Sequence, residues 1–145
     1  MQELLFKAKF PVPIHAIKKN NKQIAFNKAA GRRFIMSNNK ARFYEEWLNQ
    51  KLITEKLKQR LDTITHKVHV CMKFYFPKTK FYTKKGEQNK KLADLSNLYQ
   101  AVEDALQSSG VIENDNLIES HDGSRRLPID DTSHWLEITI SAYQD

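Results

Sequence analysis

The chain has 145 residues and a formal net charge of +7, with 40% hydrophobic, 10% aromatic and 28% charged content. That length and composition favour one globular domain with one core over a disordered tail or two domains. The four glycines (31, 86, 110 and 123) lie at least thirteen positions apart, which excludes a GxGxxG turn, a Walker A loop and a GxSxG elbow.

The net charge hides a division. Residues 1–91 hold 22 of the 24 Lys and Arg against six acids, a balance of +16; residues 92–145 hold eleven acids and only Arg125 and Arg126, a balance of −9. A basic excess points to a polyanion, nucleic acid or an acidic membrane surface, and an acidic cluster to a divalent metal. Two solvated faces that neutralise each other are the plainer reading. Cys71 is the only cysteine and stands in an apolar run, so a small buried thiol is expected, with no disulfide and no cysteine-rich zinc site. No leader-like segment and no run of some 18 apolar residues is seen, so the expected location is cytoplasmic, with no membrane partner.

Taken in chain order, residues 3–10 alternate as a half-buried strand that ends at Pro11 and Pro13. A basic stretch follows, with a short hairpin expected between 23–26 and 32–36. From about 39 to 61 the pattern is helical, with a stripe of Phe43, Trp47, Leu48, Lys51, Leu52, Glu55 and Leu57. Residues 66–77, HKVHVCMKFYFP, read as a central strand. Residues 78–93 read as a lysine-rich loop, in which simple packing is the favoured role of Phe81 and Tyr82. A second helix is predicted over 95–108, burying Leu95, Leu98, Val102, Ala105 and Leu106 and ended by Gly110. A short strand at 117–120, a turn at 121–124 and a strand at 134–142 complete the order. The expected fold is a single α/β domain over residues 1–145, a mixed β-sheet packed by two main helices, with basic loops at about 15–33 and 78–93. His66 and His69 make a poor metal pair, and His15, His121 and His134 are read as surface or turn residues.

Residues 92–118 carry the chemistry. Asp94 opens the second helix and Asp115 follows it, where the chain turns back towards a strand. A helix leaving the site and a strand returning to it would bring the two carboxylates together, and Mg²⁺ binds through few carboxylates and keeps its waters. A metal so held assists phosphodiester hydrolysis. Asp94 is equally a natural N-cap, and Asp115 in ENDN a natural turn residue, so both readings stand. An EF-hand is excluded, because the stretch lacks the central Gly. Ser96, Gln100 and Glu103 share one helix face, with Asn97 and Asp104 beside them.

DLSNLYQAVEDAL over 94–106, then GVIENDNLI over 110–118, resembles the RusA family of endodeoxyribonucleases, Holliday junction resolvases often carried by prophages. The family pattern is close to D-L-D-N-L-x-K-x-x-x-D-A-L, a short gap, then an acidic pair ahead of a strand. The resemblance implies a RusA-like fold and a homodimer that uses Mg²⁺, with Mn²⁺ as a substitute, to make paired nicks in four-way DNA junctions. It places the family's catalytic aspartates on Asp94 and Asp115, its asparagine on Asn97 and its helix aspartate on Asp104. The family's second aspartate becomes Ser96, its lysine Gln100, and the first of the later acidic pair Asn114. Ser96 is then expected to hold a water, with Glu103 or Asp104 as the third carboxylate, and Lys90 or Lys91 to stand in for the lysine. Lys18, Lys19, Lys22, Arg32, Arg33, Lys84, Lys85, Lys90 and Lys91, with Asn97, are the expected DNA contacts. The alternatives are a non-catalytic or weakly active junction-binding protein on the same scaffold, and a phage regulatory or assembly protein with an acidic interface.

Overall fold

The computed structural model describes residues 3–13, 22–27, 32–37 and 39–144. Strand β1 (Leu4–Val12) is followed by the hairpin β2 (Lys22–Asn27) and β3 (Arg32–Ser37), then α1 (Asn39–Lys58) and β4 (Val68–Pro77). After β4 come one helical turn α2 (Lys78–Phe81), α3 (Leu95–Ser108), a 3₁₀ turn at Asp115–Leu117, β5 (Ile118–Ser120), β6 (Arg125–Ile129) and β7 (His134–Ala142). The main sheet runs β1-β7-β4-β5, with β6 also paired to β4. β1/β7 and β7/β4 are antiparallel, whereas β5 and β6 run parallel to β4. β2 and β3 pair with each other in a separate two-stranded sheet. Among the described residues, no helix is long and apolar enough to cross a membrane.

Strict alternation on β1, β4 and β7 puts one apolar row on the inward face, because successive side chains point to opposite sides of a strand. Phe6, Ala8, Phe10 and Val12, then Val68, Val70, Met72 and Phe74, then Leu136, Ile138 and Ile140 form that row. Helix α3 covers it with Leu98, Ala101, Val102, Ala105 and Leu106, and α1 with Tyr44, Leu48 and Leu52. Each Val, Leu, Ile, Phe or Met side chain among them, taken fully from water, contributes ~1.5–3 kcal/mol. Gly110 stands just past α3 at φ +80°, the left-handed conformation that ends a helix without a Cβ penalty.

β5 and β6 share one edge of β4, interrupted by the turn 121–124. Ser124 fills the interruption: its Oγ accepts from the Met72 amide at 2.8 Å and lies 3.4 Å from the Val70 carbonyl. The ladder is thereby bridged while His121 is released from it, and this shapes the site below.

Several expectations need correction. The inward stripe of α1 is Tyr44, Leu48 and Leu52; Phe43 and Leu57 lie outside it, 52% and 71% exposed. The segment 78–93 is not one long loop. Its start is α2, followed by a tight turn in which Thr83 donates to the Glu87 carbonyl at 2.7 Å and Gly86 sits at φ +82°. Phe81 packs into the core, while Tyr82 stays outside. β6 was not expected. Cys71 is half-buried on the outward face rather than in the core. His134 is buried against Phe76, ring centroids 5.3 Å apart, and is not a surface residue.

Candidate active site

Asp94 occupies the N-cap position of α3 in extended conformation (φ −64°, ψ 146°), and its side chain makes no capping hydrogen bond. Its carbonyl takes the first bonds of the helix, from Asn97 and Leu98 at 3.1 Å each. The carboxylate is therefore not spent on the helix end. It lines an open cleft of about 320 Å³ together with Gln88, Asn89, Lys90, Leu92 and Arg126. Arg126, on the edge strand β6, donates from Nη1 to the Ala93 carbonyl at 3.3 Å and so ties that strand to the start of α3. Asn89 anchors the other wall: its amide donates to the Phe81 carbonyl at 2.8 Å, and its Oδ1 accepts from the Lys91 amide at 3.0 Å. Asp94 thus shares the cleft with two cationic residues, Lys90 and Arg126. That arrangement suits a phosphate held beside an acid.

Asp115 is at the other end of α3. Its amide donates to Gln107 Oε1 at 2.9 Å, and Asn114 caps the 3₁₀ turn by accepting from Asn116 at 2.9 Å. From Asp94 to Gln107 the helix rises on the order of 20 Å. The expectation that one chain brings Asp94 and Asp115 together is therefore not met. A helix of this length separates its two ends, and the chain turns back at the far one.

The remaining residues fall along α3 between these ends. Ser96 and Gln100 are exposed on its first two turns, Asn97 is half-buried, and Asp104 is exposed further along. Glu103 is engaged by His121, whose Nε2 lies 2.6 Å from Glu103 Oε1 and whose ring stacks on Tyr99 at 4.4 Å and 9°. Neither Glu103 nor Asp104 joins Asp94 in the cleft. Among the described residues, no group of three or more His, Cys, Asp or Glu could hold a metal ion. Among the described residues of one chain, the donor set does not fit a Mg²⁺ site with several carboxylates.

Of the expected DNA contacts, Lys90 lines the cleft, Lys91 is exposed next to it, and Lys84 and Lys85 are exposed at the turn before Gly86. Lys18 and Lys19 lie outside the described residues, as do the side chains of Lys22, Arg32 and Arg33, whose strands are described by their pairing. Sequence reasoning missed Arg126, Gln88 and Asn89 as cleft residues, and the Glu103–His121–Tyr99 cluster. The signal for Arg126 was present: with Arg125 it is the only cation in an acidic stretch of 54 residues.

The chain is an α/β protein with a mixed sheet, in which an aspartate at a helix mouth stands beside a basic edge strand. A family model described as Endodeoxyribonuclease RusA matches residues 13–140, and the chain belongs to the RusA family of endodeoxyribonucleases, a family of Holliday junction resolvases. No curated protein matches the chain.

Proposed function

We propose that this chain is a divalent-metal-dependent endonuclease that nicks four-way DNA junctions in pairs, acting as a homodimer. The observation that carries this reading is the Asp94 carboxylate, free of capping duty, in a cleft walled by Lys90 and Arg126. The separation of Asp94 from Asp115 along α3 argues for the dimer. Each chain offers one carboxylate at either end of the helix, and a two-fold arrangement of two copies would set Asp94 of one against Asp115 of the other. Two carboxylates meeting in this way suit Mg²⁺, or Mn²⁺ in its place. A cation there would supply charge neutralisation at the phosphate and activation of the attacking water. Arg126 and Lys90 would hold the phosphodiester, and Lys84, Lys85 and Lys91 the flanking backbone, without reading bases.

The test is incision of a labelled four-way junction, a linear duplex and a single strand, with and without Mg²⁺. Paired cuts in the junction alone, absent without Mg²⁺ and abolished by Asp94→Asn with binding retained, are the expected result. A second reading, a binding protein that cuts weakly or not at all, is favoured by Ser96 and Gln100 at the exposed positions beside the cleft. Junction binding without incision in either Mg²⁺ or Mn²⁺ would select it. Loss of salt-dependent DNA binding altogether would overturn both.

A further inference from the structure

Both long helices pack on the inward face of the main sheet, and the outward face carries a different chemistry. Tyr75 on β4 and Trp135 on β7 are directly paired there. Lys9 Nζ lies 5.0 Å from the Tyr75 ring centre and 5.9 Å from that of Trp135. The polar edges of the two rings are tied down: Tyr75 donates to Glu137 at 3.2 Å and the Trp135 indole to Asp131 at 3.1 Å. Lys9 and Lys73 both pair with the Glu137 position, and Arg125 pairs with Lys73 on the next strand. Lys7 follows Lys9 on the same face of β1. Lys9, Lys73 and Arg125 therefore flank the aromatic pair, with Lys7 further along β1, against Glu137 on the face and Asp131 at its rim.

A cross-strand aromatic pair stabilises a sheet by ~0.2–1 kcal/mol wherever it lies. Stability alone does not call for three cations beside it on a face that none of the described helices covers. Aromatic rings fixed at their edges on an open sheet, with positive charge around them, suit unpaired bases that stack while their phosphates meet Lys and Arg. The edge strand β6 adds continuity, since Arg126 reaches the Asp94 cleft and Arg125 points to the opposite face. A strand leaving the cleft could thus pass round this edge.

We infer that the outward sheet face, centred on Tyr75 and Trp135 and flanked by Lys9, Lys73 and Arg125, is a binding platform for single-stranded DNA. It is independent of the cleavage reading, since it needs neither metal nor Asp94. The test is fluorescence anisotropy with labelled oligo(dT) of about 12 nucleotides and with a duplex of equal length, without divalent cation. Trp135→Ala and Tyr75→Ala should each weaken single-strand binding about tenfold, the scale of one lost base–aromatic stack. Duplex binding should be unchanged and Trp135→Phe should restore most of the loss. Three results would overturn the inference: unchanged oligo(dT) binding by both alanine variants, equal loss for single strand and duplex, or loss of dimerisation by Trp135→Ala with oligo(dT) binding intact. Circular dichroism of each variant separates loss of fold from loss of the platform, and Lys73→Glu gives an arm that leaves both rings in place. Single-strand binding undiminished by Lys73→Glu would count against the platform.

Discussion

Asp94 stands where Asp, Asn, Ser and Thr usually cap a helix, and a side-chain cap there is worth ~1 kcal/mol. Its side chain makes no such bond and lines the cleft instead. A capping residue type in the capping position that does not cap leaves its charge to the cleft it shares with Lys90 and Arg126, which is what the proposed function uses. Asp94→Asn should therefore lower nicking by at least about 100-fold, the scale of losing one group that acts on transition-state charge, with little change in melting temperature. A cap role alone would leave nicking near normal in Asp94→Asn, since Asn caps as well as Asp, and would show only as a lower melting temperature in Asp94→Ala. Ser96 and Gln100 are exposed on the following turns, so longer charged side chains there meet no steric obstacle from burial. Ser96→Asp with Gln100→Lys should raise the nicking rate at least about tenfold by restoring a carboxylate and a cation near the phosphate. An unchanged rate, measured under single-turnover conditions, would show that the cleft compensates through Arg126 and Lys90.

At the scale of elements, α3 was legible from its start to its last turn. Its apolar residues fall on one face, its N-terminus is marked by Asp94 and its end by Gly110. Only Ala101 was added to the buried stripe, and Leu95 proved only partly buried. Helix α1 was legible as a helix but not in its orientation. Apolar side chains at 43 and 57 are compatible with an inward stripe, and only packing shows that Tyr44, Leu48 and Leu52, at i, i+4 and i+8, hold it. β6 escaped because Pro128 and two arginines look unlike a strand; an edge strand tolerates both, since an edge position leaves one side unpaired. Glu103 and His121 are 18 positions apart, and no local pattern joins them until the turn 121–124 releases His121 from the ladder.

Tyr44 makes the orientation of α1 measurable. Full burial raises its phenol above the ordinary value of 10.0, because the phenolate would lose its hydration. A pKa raised in the folded state means stability that is complete below the unfolded value and lost as pH rises past it. Melting temperature should hold up to about pH 10 and then fall by roughly 4 °C per pH unit from this group. Tyr44→Phe should flatten that alkaline limb relative to the wild type while other groups titrate equally in both. Parallel limbs in the two proteins would place the hydroxyl in water.

Across the whole molecule, the division of charge into +16 and −9 has a spatial counterpart. The sign changes between Lys91 and Asp94, and Lys90 and Asp94 both line the cleft, so the boundary in sequence falls at that cleft. Among the described residues the cleft holds no second carboxylate, because Asp115 lies past the far end of α3, which rises on the order of 20 Å. Under the proposed reading, isologous pairing would solve this for both copies at once and generate two equal sites, as two symmetric strands of a junction require. Subunit mixing tests it. Asp94→Asn and Asp115→Asn homodimers should each be inactive. In their heterodimer, one site would combine both substitutions and the other would be wholly wild type. An equimolar mixture, re-equilibrated through the monomers, should regain about a quarter of the wild-type sites by random pairing. The regained cuts should be single nicks rather than pairs. If each chain builds its own site, both sites of the heterodimer carry one substitution and nothing is regained. If either homodimer nicks normally, the pairing of Asp94 with Asp115 fails, whichever way the chains assemble.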